Sequence, residues 1–146
     1  MPMIDVYAPA SLFPADADEK LGTELTHAVL RAEGHYEEVI APFFTENTAA
    51  FVHRLPVVST AAASSATAVR VQIVTPPGSL NRDGQRQITT EATEIVQRLA
   101  GSEVTTWVIL TEAAEGGWGL GGTAFGKEEF AALAARAAAA RAAAGA

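Results

Sequence analysis

Cysteine is absent from all 146 residues, which excludes both disulfide scaffolding and thiol catalysis. Basic charge is scarce: 10 Lys and Arg stand against 17 Asp and Glu, for a net charge of −7 with no Lys/Arg block. Nucleic acid is therefore not expected as a main partner, although a few local donors can still hold an anionic substrate. The three histidines, His27, His35 and His53, have no metal-ligand spacing, so a metal site is not expected. No apolar run approaches membrane length. The N-terminus carries Asp5 and no basic segment before an apolar stretch, so it does not read as a signal peptide. A cytoplasmic protein that does not bind membrane is the expectation. The 49% hydrophobic fraction overstates the core, because much of it is alanine in the last twenty residues. The length suits one domain, or two small fused halves, with a real core.

Against these absences stands the opening stretch "MPMIDVYAP". Proline ahead of a strand can simply start it without wasting a donor. Removal of Met1 would make Pro2 a free secondary amine on a rigid ring, fixed at a strand end.

The chain then repeats one unit twice. "MIDVYA" alternates Ile4, Val6 and Ala8 on one face, the pattern of a half-buried strand. A helix follows, with Asp16 or Asp18 as cap, Leu21, Leu25, Ala28 and Val29 on its apolar face, and Gly34 at its end. "NTAAFVHRLP" reads as a second strand stopped by Pro56, and "STAAASSAT" as a small-residue linker. "AVRVQIVT" begins the second unit as a strand. Its helix is capped by Asn81 or Asp83, buries Ile88, Ala92, Ile95, Val96 and Leu99, and ends at Gly101. "EVTTWVILTEA" is the fourth strand. Each parallel pair needs a crossover helix, and both helices fall on one face of a four-stranded sheet. The other face is left uncovered, which predicts self-association. The units span about 2–58 and 67–125 of a single 1–146 domain. The Ala-rich tail, about 127–146, favours helix by propensity but has little to bury and is expected to fray.

"TWVILTEAAEGGWGLGGTAF", taken with the Met-Pro start and the doubled unit, resembles the tautomerase superfamily. That group includes 4-oxalocrotonate tautomerase, macrophage migration inhibitory factor, malonate semialdehyde decarboxylase and cis-3-chloroacrylic acid dehalogenase. The similarity covers residues 2 to about 130 and is sharpest at 104–125. It implies a homotrimeric, cofactor-independent enzyme in which Met1 is removed and Pro2 is the catalytic base or acid. Residue chemistry agrees. Desolvation among apolar side chains disfavours a charged amine and moves its pKa toward working pH, where a general base is most efficient.

Around Pro2 the resemblance singles out further positions. Trp118 matches the family's pocket aromatic in the glycine-rich turn, where flanking glycines bring backbone close; a core or trimer-contact role is the alternative. Trp107 falls where short tautomerases carry a substrate-binding arginine and where the inhibitory-factor group carries a pocket tyrosine. Its alternative is strand packing. The loop "TPPGSLNRDGQRQ" lacks the paired arginines of the dehalogenase and decarboxylase. That leaves Arg82, at a helix mouth that favours anions, as the better carboxylate ligand than Arg86. His53 and Arg54 point to opposite strand faces; Arg54 suits bidentate carboxylate binding or an interface ion pair. His27 reads as a helix-surface residue. Glu112 and Glu115 read as loop acids or as a carboxylate beside the site. The segment holding Tyr36, Phe43 and Phe44 reads as pocket wall or as outer packing.

The expected architecture is thus α/β (α+β), a tandem βαβ–βαβ homotrimer. The expected function is a tautomerase in which Pro2 shuttles a proton on a 2-oxo acid or enol. Arg54 or Arg82 would hold the carboxylate, and Trp107 and Trp118 would form an apolar wall. Hydration, dehalogenation or decarboxylation of a three-carbon acid with a cationic Pro2 is the alternative. It is weakened by the altered arginines and by the lack of a matched Asp after Gly34. A non-catalytic binding or signalling member is a third possibility, marked by a retained Met1.

Overall fold

In the computed structural model, residues 1–35, 42–58 and 67–145 are described. The first unit runs β1 (Met3–Pro9), α1 (Ala17–Ala32), a short α2 (Pro42–Glu46) and β2 (Ala49–Leu55). The second runs β3 (Ala68–Thr75), α3 (Arg82–Ala100) and β4 (Thr105–Glu112). A hairpin, β5 (Trp118–Leu120) and β6 (Thr123–Phe125), and a last helix, α4 (Lys127–Ala144), follow. The sheet order is β2-β1-β3-β4. β1 pairs with β2 and β3 with β4 in parallel, while the two units meet antiparallel through β1 and β3. This is the doubled strand–helix–strand unit read from the sequence.

Side-chain alternation fixes which sheet face is buried. Ile4, Val6 and Ala8 of β1 and Val69, Val71 and Ile73 of β3 are buried beneath the helices. Leu21, Leu25, Ala28 and Val29 of α1 meet them, as do Ile88, Ala92, Ile95 and Val96 of α3. Fully burying a side chain of this size contributes roughly 1.5–3 kcal/mol, so this layer carries the fold. The two helices are tied side by side in opposite directions by Arg31–Glu91 at 2.8 Å and by a close Arg98–Glu24 ion pair.

The helix ends follow local chemistry. Asn81 accepts the Gly84 N–H at 2.8 Å and caps α3, and Gly101 closes it with φ 68°. At α1 the expected side-chain cap does not form: Asp16 makes no cap bond, and Asp18 is drawn away to Arg54. Gly34, with φ 79°, takes the chain out of α1. Gly84 faces α1 so closely that a Cβ there would lie 2.5 Å from the Ala32 carbonyl oxygen. The start of α3 therefore sets the position of the last residues of α1.

The tail differs from expectation, since α4 is continuous from Lys127 to Ala144 although it buries no residue. Its start is held by carboxylates: Glu129 accepts the Gly126 N–H at 2.8 Å and Glu115 accepts the Lys127 N–H at 2.6 Å. Alanine propensity carries the rest.

Among the described residues, no helix covers the sheet face opposite α1 and α3. Phe51, Trp107 and Ile109 are 51%, 48% and 44% exposed there. A single row crosses the face through His53, Tyr7, Arg70 and Trp107. In that row the Tyr7 and His53 rings stack at 4.4 Å, and the Arg70 guanidinium sits 4.3 Å over Tyr7. Asp5 accepts from His53 at 2.7 Å. No helix among the described residues is long and apolar enough to cross a membrane.

Candidate functional site

Pro2 is fully buried at the start of β1. Met3 is paired with Val74 and Ala49, so Pro2 lies one residue beyond those pairs, at the end of the sheet where β3 and β4 finish. Met1 is buried as well, at 2% exposure, and its terminal nitrogen lies 3.4 Å from the Glu33 carboxylate. Burial pushes the pKa of this terminal amine down, against the opposing pull of Glu33.

Glu33 is the group that the sequence reading did not find. It is the C-cap residue of α1, immediately before Gly34, and its side chain is 0% exposed. Burial drives its carboxyl pKa upward, while the terminal ammonium and the Ser79 hydroxyl oppose that shift. One of its oxygens, Oε1, has no well-formed hydrogen bond among the described residues. A signal was present in the sequence, because an acid at a helix C-terminus opposes the helix dipole and is there at a cost. His35 lies near the same amine and stacks on Phe44 at 4.5 Å. Its pKa is pushed down, first by burial and then by the charges of the terminal amine and Arg141. Tyr36 and the side chain of Phe43 lie outside the described residues.

The residues picked from sequence are distributed more widely. Trp118 is 7% exposed and opens the hairpin opposite Phe125, which itself packs on Phe130 at 5.4 Å. That hairpin leaves the sheet at Pro2's end, because the Ala113 N–H just after β4 donates to the Thr75 carbonyl. Trp107 is on the uncovered face toward the other end of β4, lining a shallow cavity of about 250 Å³ with Tyr7, Leu55 and Arg70. Arg82 is exposed on the flank of α3 that faces edge strand β4, near Val108 and Leu110. His27 is on the α1 surface, and Glu115 serves to hold α4.

Arg54 is placed away from Pro2. It pairs with Ala8 near the far end of β1, on the sheet face that the helices cover. Its guanidinium grips Asp18 through Nε and Nη2 and donates to the carbonyls of Ala10, Phe13 and Pro14 at 2.7–2.9 Å. Its reach is satisfied by the β1–α1 connection, so it acts as a tie. Arg54→Ala should lower the melting temperature by about 4–8 °C. That figure takes about 2 kcal/mol for hydrogen bonds to a partly exposed charge. Turnover should stay near wild type. Large activity loss at unchanged melting temperature would return Arg54 to the substrate-binding role.

No protein-family model matches this chain, and no curated protein matches it in sequence. Solved structures match it closely in shape. A fused 4-OT symmetric trimer aligns with a TM-score of 0.70 at 15% identity, over 88% of this chain and 98% of that one. Pt0534 inactivated by 2-oxo-3-pentynoate gives 0.69 at 16%, over 86% and 97%. The macrophage migration inhibitory factor-like protein of Entamoeba histolytica gives 0.67 at 14%, over 85% and 98%. The chain has the tautomerase-superfamily fold. Within that class it is a two-unit form, with both βαβ units in one polypeptide and a helical extension, α4, beyond them.

Proposed function

We propose that the protein is a cofactor-independent tautomerase in which Pro2, freed by removal of Met1, is the base that moves a proton on a 2-oxo acid or its enol. One observation carries this reading: Met1 occupies an enclosed position against Pro2 and the Glu33 carboxylate. Its removal would vacate that enclosed position beside a buried secondary amine. That amine takes on the burial that already lowers the terminal pKa here, so it is neutral and basic near working pH. The inactivation of the similarly folded Pt0534 by a 2-oxo acid supports this substrate class.

The assembly we propose is a homotrimer. The fused 4-OT structures are trimers, and the exposed Phe51, Trp107 and Ile109 need a cover. In it Trp118 forms the apolar wall at Pro2's end. The exposed Arg82 and Trp107 are positions that a neighbouring protomer can present to the site.

Glu33 gives substance to a second reading. A charged Glu33 that activates water beside a protonated Pro2 would hydrate, dehalogenate or decarboxylate a three-carbon acid. Burial of Glu33 favours its neutral form, which suits proton donation better than water activation. Intact mass and a substrate panel test the choice. The tautomerase reading expects Met1 to be absent and phenylenolpyruvate to ketonise faster than any 3-haloacrylate or malonate semialdehyde is consumed. A retained Met1 with no turnover of any member points instead to a binding protein.

A further inference from the structure

Glu33 is held where a purely structural side chain would be unfavourable on three counts. It is fully buried, it sits at the negative end of a helix dipole, and one oxygen lacks a well-formed hydrogen bond among the described residues. Its position is nonetheless fixed from two sides, by the Gly84 contact against Ala32 and by the turn at Gly34. Costs of this kind, offset in part by the ion pair with the terminal amine, are typical of functional groups.

We propose that Glu33 is a second catalytic group, the acid that protonates the substrate's oxygen while Pro2 takes the proton from carbon. The inference rests on the Pro2 reading above. One residue step along the chain is about 3.8 Å, so a carboxylate 3.4 Å from the Met1 nitrogen lies within about 7 Å of the nitrogen that Met1 removal exposes, a span that one small substrate can bridge. On a 2-oxo acid, the Pro2 nitrogen takes a C3 proton. The C–H electron pair becomes the C2–C3 double bond, the carbonyl π pair moves to oxygen, and that oxygen takes the Glu33 proton. The products are the enol, a protonated Pro2 and a Glu33 carboxylate. Proton return between the last two resets the site with no other reactant. Ketonisation is the reverse. In both directions the pair must hold one proton, so the two groups titrate together. Among the described residues, Glu33 interacts with the terminal amine and the Ser79 hydroxyl, and the same amine acts on His35, which also feels Arg141.

Glu33→Gln keeps the shape and removes the carboxyl that gives the proton in enolisation and takes it back in ketonisation. On phenylenolpyruvate it should lower kcat/KM by roughly 10²-fold or more and turn a bell-shaped pH profile into a single limb. Stability should move the other way. A carboxyl whose folded pKa is raised contributes stability below its ordinary value and loses it as pH rises toward the folded value. The Gln variant should therefore melt higher than wild type near about pH 8, with the gap closing near about pH 4. Labelling of the terminal nitrogen by 3-bromopyruvate should persist in the variant. A Gln variant that keeps the wild-type rate and bell, or that melts lower or fails to fold, overturns the role of Glu33 and leaves Pro2 untouched. If wild-type Pro2 itself escapes labelling, the base reading falls first and this inference falls with it.

Discussion

Pro2→Ala should cost roughly 10²–10⁴-fold in kcat/KM on enol substrates, the range of a general acid–base group, while the protein stays folded. The physical reason is specific to this position. Once Met1 is removed, Pro2 would supply a secondary amine whose direction is fixed by its ring and by the β1 pairing that begins at Met3. Alanine leaves a primary amine in the same burial, with added rotational freedom and a less defined attack geometry. The pH profile should keep one limb from this amine, placed below the roughly 8 of an ordinary chain terminus, because burial favours its neutral form. In the enolisation direction activity must therefore rise as pH climbs through that value, whereas ketonisation, in which protonated Pro2 returns the proton to C3, must lose activity there. The proposal fails at this point if the alanine protein matches wild type in both rate and profile.

Ile109→Glu is expected to split the trimer into monomers and to take most of the activity with it. Ile109 is 44% exposed in the row beside Trp107, on the same sheet face as the Tyr7–His53–Arg70 stack. A carboxylate buried there without a partner costs several kcal/mol at each contact, which a weakly covered sheet face cannot absorb. Light scattering should show a trimer for wild type and a monomer for the variant, whose helices and sheet remain intact by circular dichroism. The same mass for both proteins would mean that another surface holds the assembly, or that none does.

Much of this molecule was legible from period and punctuation. Period-two alternation identified β1 and β3, and the apolar faces of α1 and α3 came from helical spacing. Asn81, Gly34 and Gly101 marked helix boundaries through chemistry that acts within a few residues. The uncovered sheet face followed from counting helices against faces. The site was less legible because it is assembled by register and burial. Arg54 carries the right chemistry for a carboxylate, but its geometry aims it at Asp18 and three carbonyls. Trp107 and Pro2 lie toward opposite ends of the sheet, so only a neighbouring chain can bring those two positions together. Glu33 was hidden for the opposite reason. Its sequence context, an acid before a helix-ending glycine, is that of a solvated helix end. Only tertiary packing shows that the side chain is fully enclosed and faces the N-terminus. The helical extent of α4 depended on Glu115 and Glu129 reaching the helix start, which the alanine run itself does not display.

The central claim is that a free, buried Pro2 nitrogen does the chemistry, and labelling with 3-bromopyruvate tests it most directly. The nitrogen displaces bromide and gains the pyruvyl group, so mass spectrometry of the N-terminal peptide reports both the loss of Met1 and the modified atom. The account predicts one label per protomer, confined to Pro2, with inactivation in step with labelling and slowed by phenylenolpyruvate. Full activity in a protein shown by mass to keep Met1, or inactivation with the label elsewhere, would contradict it.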